Sequence, residues 1–164
     1  EMPPYYGFRG VWRQSDSFGW FADFNHTKLY PNAATIGASG TSGFEVLEFT
    51  DGLNNLTFGP SWEFSELGQT GMKPFFAAGA GVALPHVEVQ TQPSSPRTFE
   101  YQFGGPSVSL TAGVVKPLKN GNALTFDYKF TYTQLDVDLV GGGSLQSNVI
   151  TNAINVGYRI NFGK

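Results

Sequence analysis

Asn148-Val-Ile-Thr-Asn-Ala-Ile-Asn-Val-Gly-Tyr-Arg-Ile-Asn-Phe162 is the stretch that decides the fold class of this 164-residue chain. Ile150, Ile154, Val156, Tyr158, Ile160 and Phe162 share one parity, with Asn152 the exception. Thr151, Asn155, Gly157, Arg159 and Asn161 share the other. Successive side chains of a β-strand point to opposite faces. One face of this strand is therefore apolar and aromatic, and the other is polar and charged. A small soluble sandwich has no use for that pairing. A wall with lipid on one side and a polar lumen on the other needs it.

The composition agrees. Aromatic residues make up 15% of the chain and charged residues only 14%, against about a quarter charged in an average soluble domain. A net charge of −3 gives no reason to expect nucleic acid. No apolar run approaches the length of a membrane helix, but a barrel strand needs only every second residue apolar. Cysteine is absent, so disulfide and thiolate chemistry are excluded. The length predicts one domain over 1–164.

Working back from the tail, strand signals dominate and no amphipathic helix stands out. The predicted strands are Tyr5–Arg13, Trp20–Tyr30, Leu56–Phe64, Pro74–Val89, Glu100–Leu118, Ala123–Leu139 and the tail, with a short extended piece at Glu45–Thr50. Ala123–Leu139 alternates most clearly: Leu124, Phe126, Tyr128, Phe130 and Tyr132 oppose Thr125, Asp127, Lys129, Thr131 and Thr133. The apolar parity then passes to Leu135, Val137 and Leu139, which predicts a bulge near Gln134. Pro85 predicts a second bulge, which turns His86 and Glu88 away from the apolar face.

These elements predict an all-β fold, a small antiparallel up-and-down transmembrane β-barrel of the bacterial outer membrane. The connections after Arg13, Phe64 and Leu118 are expected short, and those after Tyr30, Val89 and Leu139 longer, as in outer-membrane barrels with short periplasmic turns. Seven strands are readable, whereas bacterial single-chain barrels have an even number. An unpaired edge is untenable in lipid. We therefore expect about eight strands in the intact barrel, the N-terminal one missing here or supplied by another chain. Arg9, Asp23, Asp127, Lys129 and Arg159 are expected to form a paired polar lumen.

The candidate site residues lie toward the outer rim. The two histidines, His26 and His86, come near the ends of outward-running strands, and Glu88 follows His86 by two positions. Histidine and carboxylate are proton-transfer groups, so His26, His86 and Glu88 are the candidate catalytic set. Glu88, Asp136 and Asp138 are the candidate ligands for a divalent cation. Each residue taken singly reads more simply as ordinary rim polarity. No Ser-His-Asp arrangement is present, and no flavin fingerprint stands out, which leaves the redox cofactor open.

The tail resembles the C-terminal assembly signal of outer-membrane barrels through Asn155, Gly157, Ile160 and Phe162, which implies handling by the barrel assembly machinery. Met2–Gly7, Phe24–Tyr30, Glu48–Asn54, Gly79–Val89, Arg97–Gln102, Asp136–Leu139 and Thr151–Asn155 resemble, in order, the outer-membrane lipid A oxidase family of alphaproteobacteria. The resemblance implies a further N-terminal strand. It also implies oxygen-dependent oxidation of the proximal glucosamine of lipid A, the anchor of lipopolysaccharide. The alternative is a non-catalytic structural or surface-contact barrel, binding a protein partner through its outer loops. A transport pore fits a narrow barrel less well.

Overall fold

The computed structural model describes residues 5–29 and 44–162. Among these there is no helix. The strands are β1 (Tyr5–Arg13), β2 (Phe18–Leu29), β3 (Val46–Glu63), β4 (Lys73–Gln90), β5 (Thr98–Tyr101), β6 (Gly105–Pro117), β7 (Ala123–Asp138) and β8 (Ser144–Arg159). Neighbours pair antiparallel in the order β1-β2-β3-β4-β6-β7-β8, with β5 also on β4. The sheet curls on itself into a small barrel. Asp23 of β2 reaches Lys129 of β7 across the interior, and Thr57 of β3 reaches Ser109 of β6. Tyr30 and the Pro31-to-Gly43 part of the predicted long segment lie outside the described residues.

We call the end with connections 14–17, 64–72 and 118–122 the lower end. The other end carries 91–97 and 139–143. The expected contrast in connection length does not hold throughout. Segment 64–72 is longer than 139–143, where Leu139 N bonds Gly143 O and closes a tight turn.

One parity faces inward along β2, β4, β6 and β7. In the lower part this interior is polar. Asp23 accepts from Arg9 at 2.9 Å and from Lys129 at 2.5 Å. Asp127 accepts from Asn155 at 2.9 Å and lies 3.7 Å from Arg9. Asn55 accepts from Thr133 at 3.0 Å. The outer face of the same strands is apolar: on β7, Phe126 is 55% exposed while Lys129 is 4% exposed. This reverses the usual distribution, in which lysine is almost never buried. Near the lower end the outer face is also ringed by aromatics, with Trp20 stacked on Phe58 and Trp62 stacked on Phe76.

In the upper part the polarity inverts. Phe49, Leu53, Ala83, Val87, Val89, Leu135 and Val137 form a buried apolar cluster inside. Outside, Gln134, Asp136 and Asp138 face solvent. This corrects two expectations. The β7–β8 ladder runs from Ala123↔Arg159 to Asp138↔Ser144 without a register shift, so there is no bulge near Gln134. Nor does β4 flip at Pro85: His86 keeps the parity of Leu84, and Val87 and Val89 point inward. The side chains do not change faces; the interior changes character. Treating every apolar parity as the outer one produced both false bulges.

The real bulges lie elsewhere. Glu48 pairs with Glu88 but Leu53 with Pro85, so β3 carries two extra residues relative to β4. The expected short piece at Glu45–Thr50 is the upper part of this one long strand. The predicted strand Glu100–Leu118 is likewise interrupted at 102–104. Gln102 N still bonds Pro85 O and Gly104 N bonds Ala83 O, so β5 and β6 act as one bulged strand along β4. A one-residue shift moves a whole strand's side chains to the other face. Here it brings Phe99 and Tyr101 to the outside.

Candidate functional site

The β3 bulge builds a pocket on the outer wall, where the apolar belt gives way to the polar upper face. Gly52 has φ of 89°, a conformation glycine adopts without penalty. A Cβ at Gly52 would sit 2.3 Å from Cε1 of His26, so only glycine lets this backbone lie against the imidazole. Tyr6 of β1 stacks on the same imidazole, with centroids 4.7 Å apart and planes 19° apart. His26 is thereby fixed on both sides and is 7% exposed.

The hydrogen bonds assign its tautomer. Asn54 donates its amide N–H to Leu84 O at 3.1 Å, which turns Oδ1 toward His26. His26 Nδ1 lies 2.9 Å from that oxygen and donates to it. In the neutral ring Nε2 is then the acceptor, available as a base or a ligand.

His86 lies two strands away, on β4 beyond β3. Its ring packs edge-on against Phe99 at 4.5 Å and Tyr101 at 4.7 Å. Its Nδ1 is 3.7 Å from Asp51, an exposed residue of the β3 bulge. Tyr101 is 60% exposed at the pocket's edge; its partial desolvation, then the negative charge of Asp51, pushes the phenol above its ordinary pKa. Tyr6, His26, Lys28, Asp51 and Tyr101 surround a cavity of about 400 Å³ floored by Phe24 and Leu84.

The structure thus places His26 in the pocket lining and His86 outside it, in contact with two of its lining residues, Asp51 and Tyr101. Glu88 lies further up β4 and forms an ion pair with Arg97, whose guanidinium sits over Phe99 at 5.9 Å. Asp136 Oδ2 accepts from Gln146 at 3.0 Å on the outer face of β7. Asp138 is held through its backbone by Gln102. Among the described residues no three His, Cys, Asp or Glu side chains come together as a metal site. Glu88, Asp136 and Asp138 are therefore not assembled as ligands, and the residues present do not fit the expected divalent cation.

Tyr6, Asp51, Asn54 and Tyr101 are not predicted from the sequence. The adjacent Asp51-Gly52 pair inside a strand is the available signal, since a glycine there marks a bulge or a close backbone approach. Compared with family models, curated proteins and solved structures, the chain matches none.

Proposed function

We propose that the chain is a bacterial outer-membrane β-barrel whose outer-wall pocket takes the head group of a lipid. The carrying observation is the inverted polarity of the lower barrel, with buried Lys129, Asp23 and Asp127 inside and exposed Phe8, Phe126, Ile154 and Val156 outside. A patch of that extent is a contact surface for something apolar, and an apolar outer band over a polar interior suits lipid. The His26 pocket opens on that same face, at the level where a head group would meet the belt.

The resemblance to lipid A oxidases makes lipid A the substrate of this reading. Oxidation of the proximal glucosamine takes a hydride from the anomeric carbon and a proton from its hydroxyl, reduces O2 to hydrogen peroxide and leaves a lactone. Hydrolysis of the lactone adds water and gives an open-chain aminogluconate one oxygen heavier than the starting sugar. In this scheme His26 Nε2 accepts the proton of the anomeric hydroxyl, while Tyr101 and Lys28 orient the disaccharide. Asn54 holds the His26 tautomer that keeps Nε2 free for that proton.

The test is mass spectrometry of lipid A from cells expressing the wild-type chain or His26→Gln. Wild type is expected to convert lipid A to a species heavier by an oxygen atom. Loss of a proton acceptor is expected to slow this by about 10²–10⁴-fold. Identical lipid A with and without the wild-type chain would sink the catalytic reading. The second reading, a non-catalytic surface-contact barrel, is favoured by the engagement of Glu88 with Arg97 in an ion pair on the upper outer face.

A further inference from the structure

The lower end of the barrel is basic where its apolar wall stops. Among the described residues it carries Arg13, Lys73, Lys116, Lys119 and Arg159. Its acidic residues are Asp16, Glu63 and Glu66. Glu63 is taken at the inner mouth, where Arg13 and Arg159 both bind it and Lys73 lies 3.8 Å away. Glu66 accepts from Gly71 N inside the 64–72 turn. Lys116 and Lys119 are both exposed, and among the described residues neither stands within ion-pair distance of a carboxylate.

These two lysines lie on the outside of the wall, next to a tyrosine. Lys116 of β6 pairs with Leu124 of β7, and Leu124 pairs with Tyr158 of β8. Residues opposite one another in a ladder share a face of the sheet, so Lys116 and Tyr158 point outward with Leu124. Lys116 Nζ donates to Thr70 O of the neighbouring turn, and an ammonium has three donors. Tyr158 is 55% exposed. Its phenol oxygen accepts from Asn122 Nδ2 at 2.7 Å and from Asn120 Nδ2 at 3.2 Å. Both lone pairs are then filled, which leaves its O–H as a donor. Lys119 precedes Asn120 in that same turn. Two ammonium groups and a phenolic donor therefore edge the belt at the end ringed by aromatics, the level at which a barrel meets lipid head groups.

We propose that this edge binds the head groups of anionic phospholipids in the leaflet around the lower end. Phosphate oxygens take Lys116, Lys119 and the Tyr158 O–H, and the acyl chains lie along Leu124, Phe126 and Val156 of the belt. The inference rests on the lipid-facing reading of the lower wall and adds to it a preference for lipid charge. It is independent of any chemistry at His26.

Urea unfolding of the full chain refolded in vesicles tests it. The vesicles are phosphatidylcholine alone or phosphatidylcholine mixed with phosphatidylglycerol. Wild type is compared with Lys116→Gln/Lys119→Gln. The readout is the ratio of their folding equilibrium constants, in which charges common to both proteins cancel. Adding phosphatidylglycerol is expected to raise that ratio in favour of wild type by about 25-fold, about fivefold for each lysine near an anionic surface. About 1 M salt, with a screening length of about 3 Å, should abolish the rise. Lys116→Arg/Lys119→Arg should behave as wild type. Lys119→Gln alone should show about a fivefold rise, and it leaves the contact of Lys116 with Thr70 in place, so a loosened turn cannot produce it. A ratio unchanged by phosphatidylglycerol, or a rise that survives salt, would overturn the proposal while wild type folded in phosphatidylcholine still upheld the lipid-facing wall. A wild type that folds in buffer and ignores both kinds of vesicle would overturn that reading, and this proposal with it.

Discussion

The lower and upper parts of this barrel are built from the same strands with opposite chemistry. β7 shows both in one ladder. Below, Asp127, Lys129, Thr131 and Thr133 point in and Phe126 and Tyr128 point out. Above, Leu135 and Val137 point in and Asp136 and Asp138 point out. The backbone does not register the change. A strand's pleat specifies which residues share a face, but not which face is wet; the surroundings decide that. The upper part is organised like a water-soluble β-structure around an apolar core. The lower part buries charge and exposes apolar side chains, the arrangement that the lipid-facing belt proposed above requires. The His26 pocket lies where the two regimes meet.

The largest expected effect breaks the lower interior. Asp23 is 3% exposed and neutralises both Arg9 and Lys129. Asp23→Ala leaves two cations short of a partner, and removing one member of a buried ion network costs about 3–5 kcal/mol. Urea unfolding of the refolded protein in lipid vesicles should show that loss. A loss of less than about 1 kcal/mol, the scale of an exposed pair, would mean that water fills the lumen and screens these charges.

Phe126→Arg tests what lies outside the lower part. In a lipid-facing belt an arginine near the midplane costs about 2–4 kcal/mol. In water the same change at this exposed position should stay within about 0.5 kcal/mol. Comparing the refolding stability of variant and wild type in vesicles separates the two. A variant as stable in vesicles as wild type would remove the belt from the proposal.

Much of this was legible because alternation needs no partner. The strict pattern of Leu124 to Thr133, the descending tail and the inward set Arg9, Asp23, Asp127, Lys129 and Arg159 can all be taken from single strands. The polarity inversion was not legible in the same way. At Gln134 a change of faces and a change of interior produce identical strings, and only the unbroken ladder with β8 distinguishes them. The pocket was half legible. His26 and His86 stand out as the two histidines, but Tyr6, Asp51, Asn54 and Tyr101 join them only through offsets between strands. The shift at Glu48 and Leu53 places Asp51 beside His86, and the break at 102–104 turns Tyr101 outward. The Asp51-Gly52 pair signals the first offset, but the second is not written in any one strand.

The smallest expected effect concerns the upper outer face. Asp136 is exposed and its carboxylate accepts one bond, from Gln146 on the adjacent strand. If this face is ordinary solvated polarity, Asp136→Asn should change stability by less than about 0.5 kcal/mol. It should also leave the thermal midpoint equally indifferent to added Ca²⁺ or Mg²⁺ in wild type and variant. A cation held at this face would stabilise the folded protein by mass action, and the variant would lose that gain. A calcium-dependent midpoint in wild type that Asp136→Asn abolishes would therefore restore the divalent-cation role expected for Asp136. It would also require Asp138 or Glu88 to move from its present partner. Without that response, the contrast along β7 stands as a change of solvent and not of ligand.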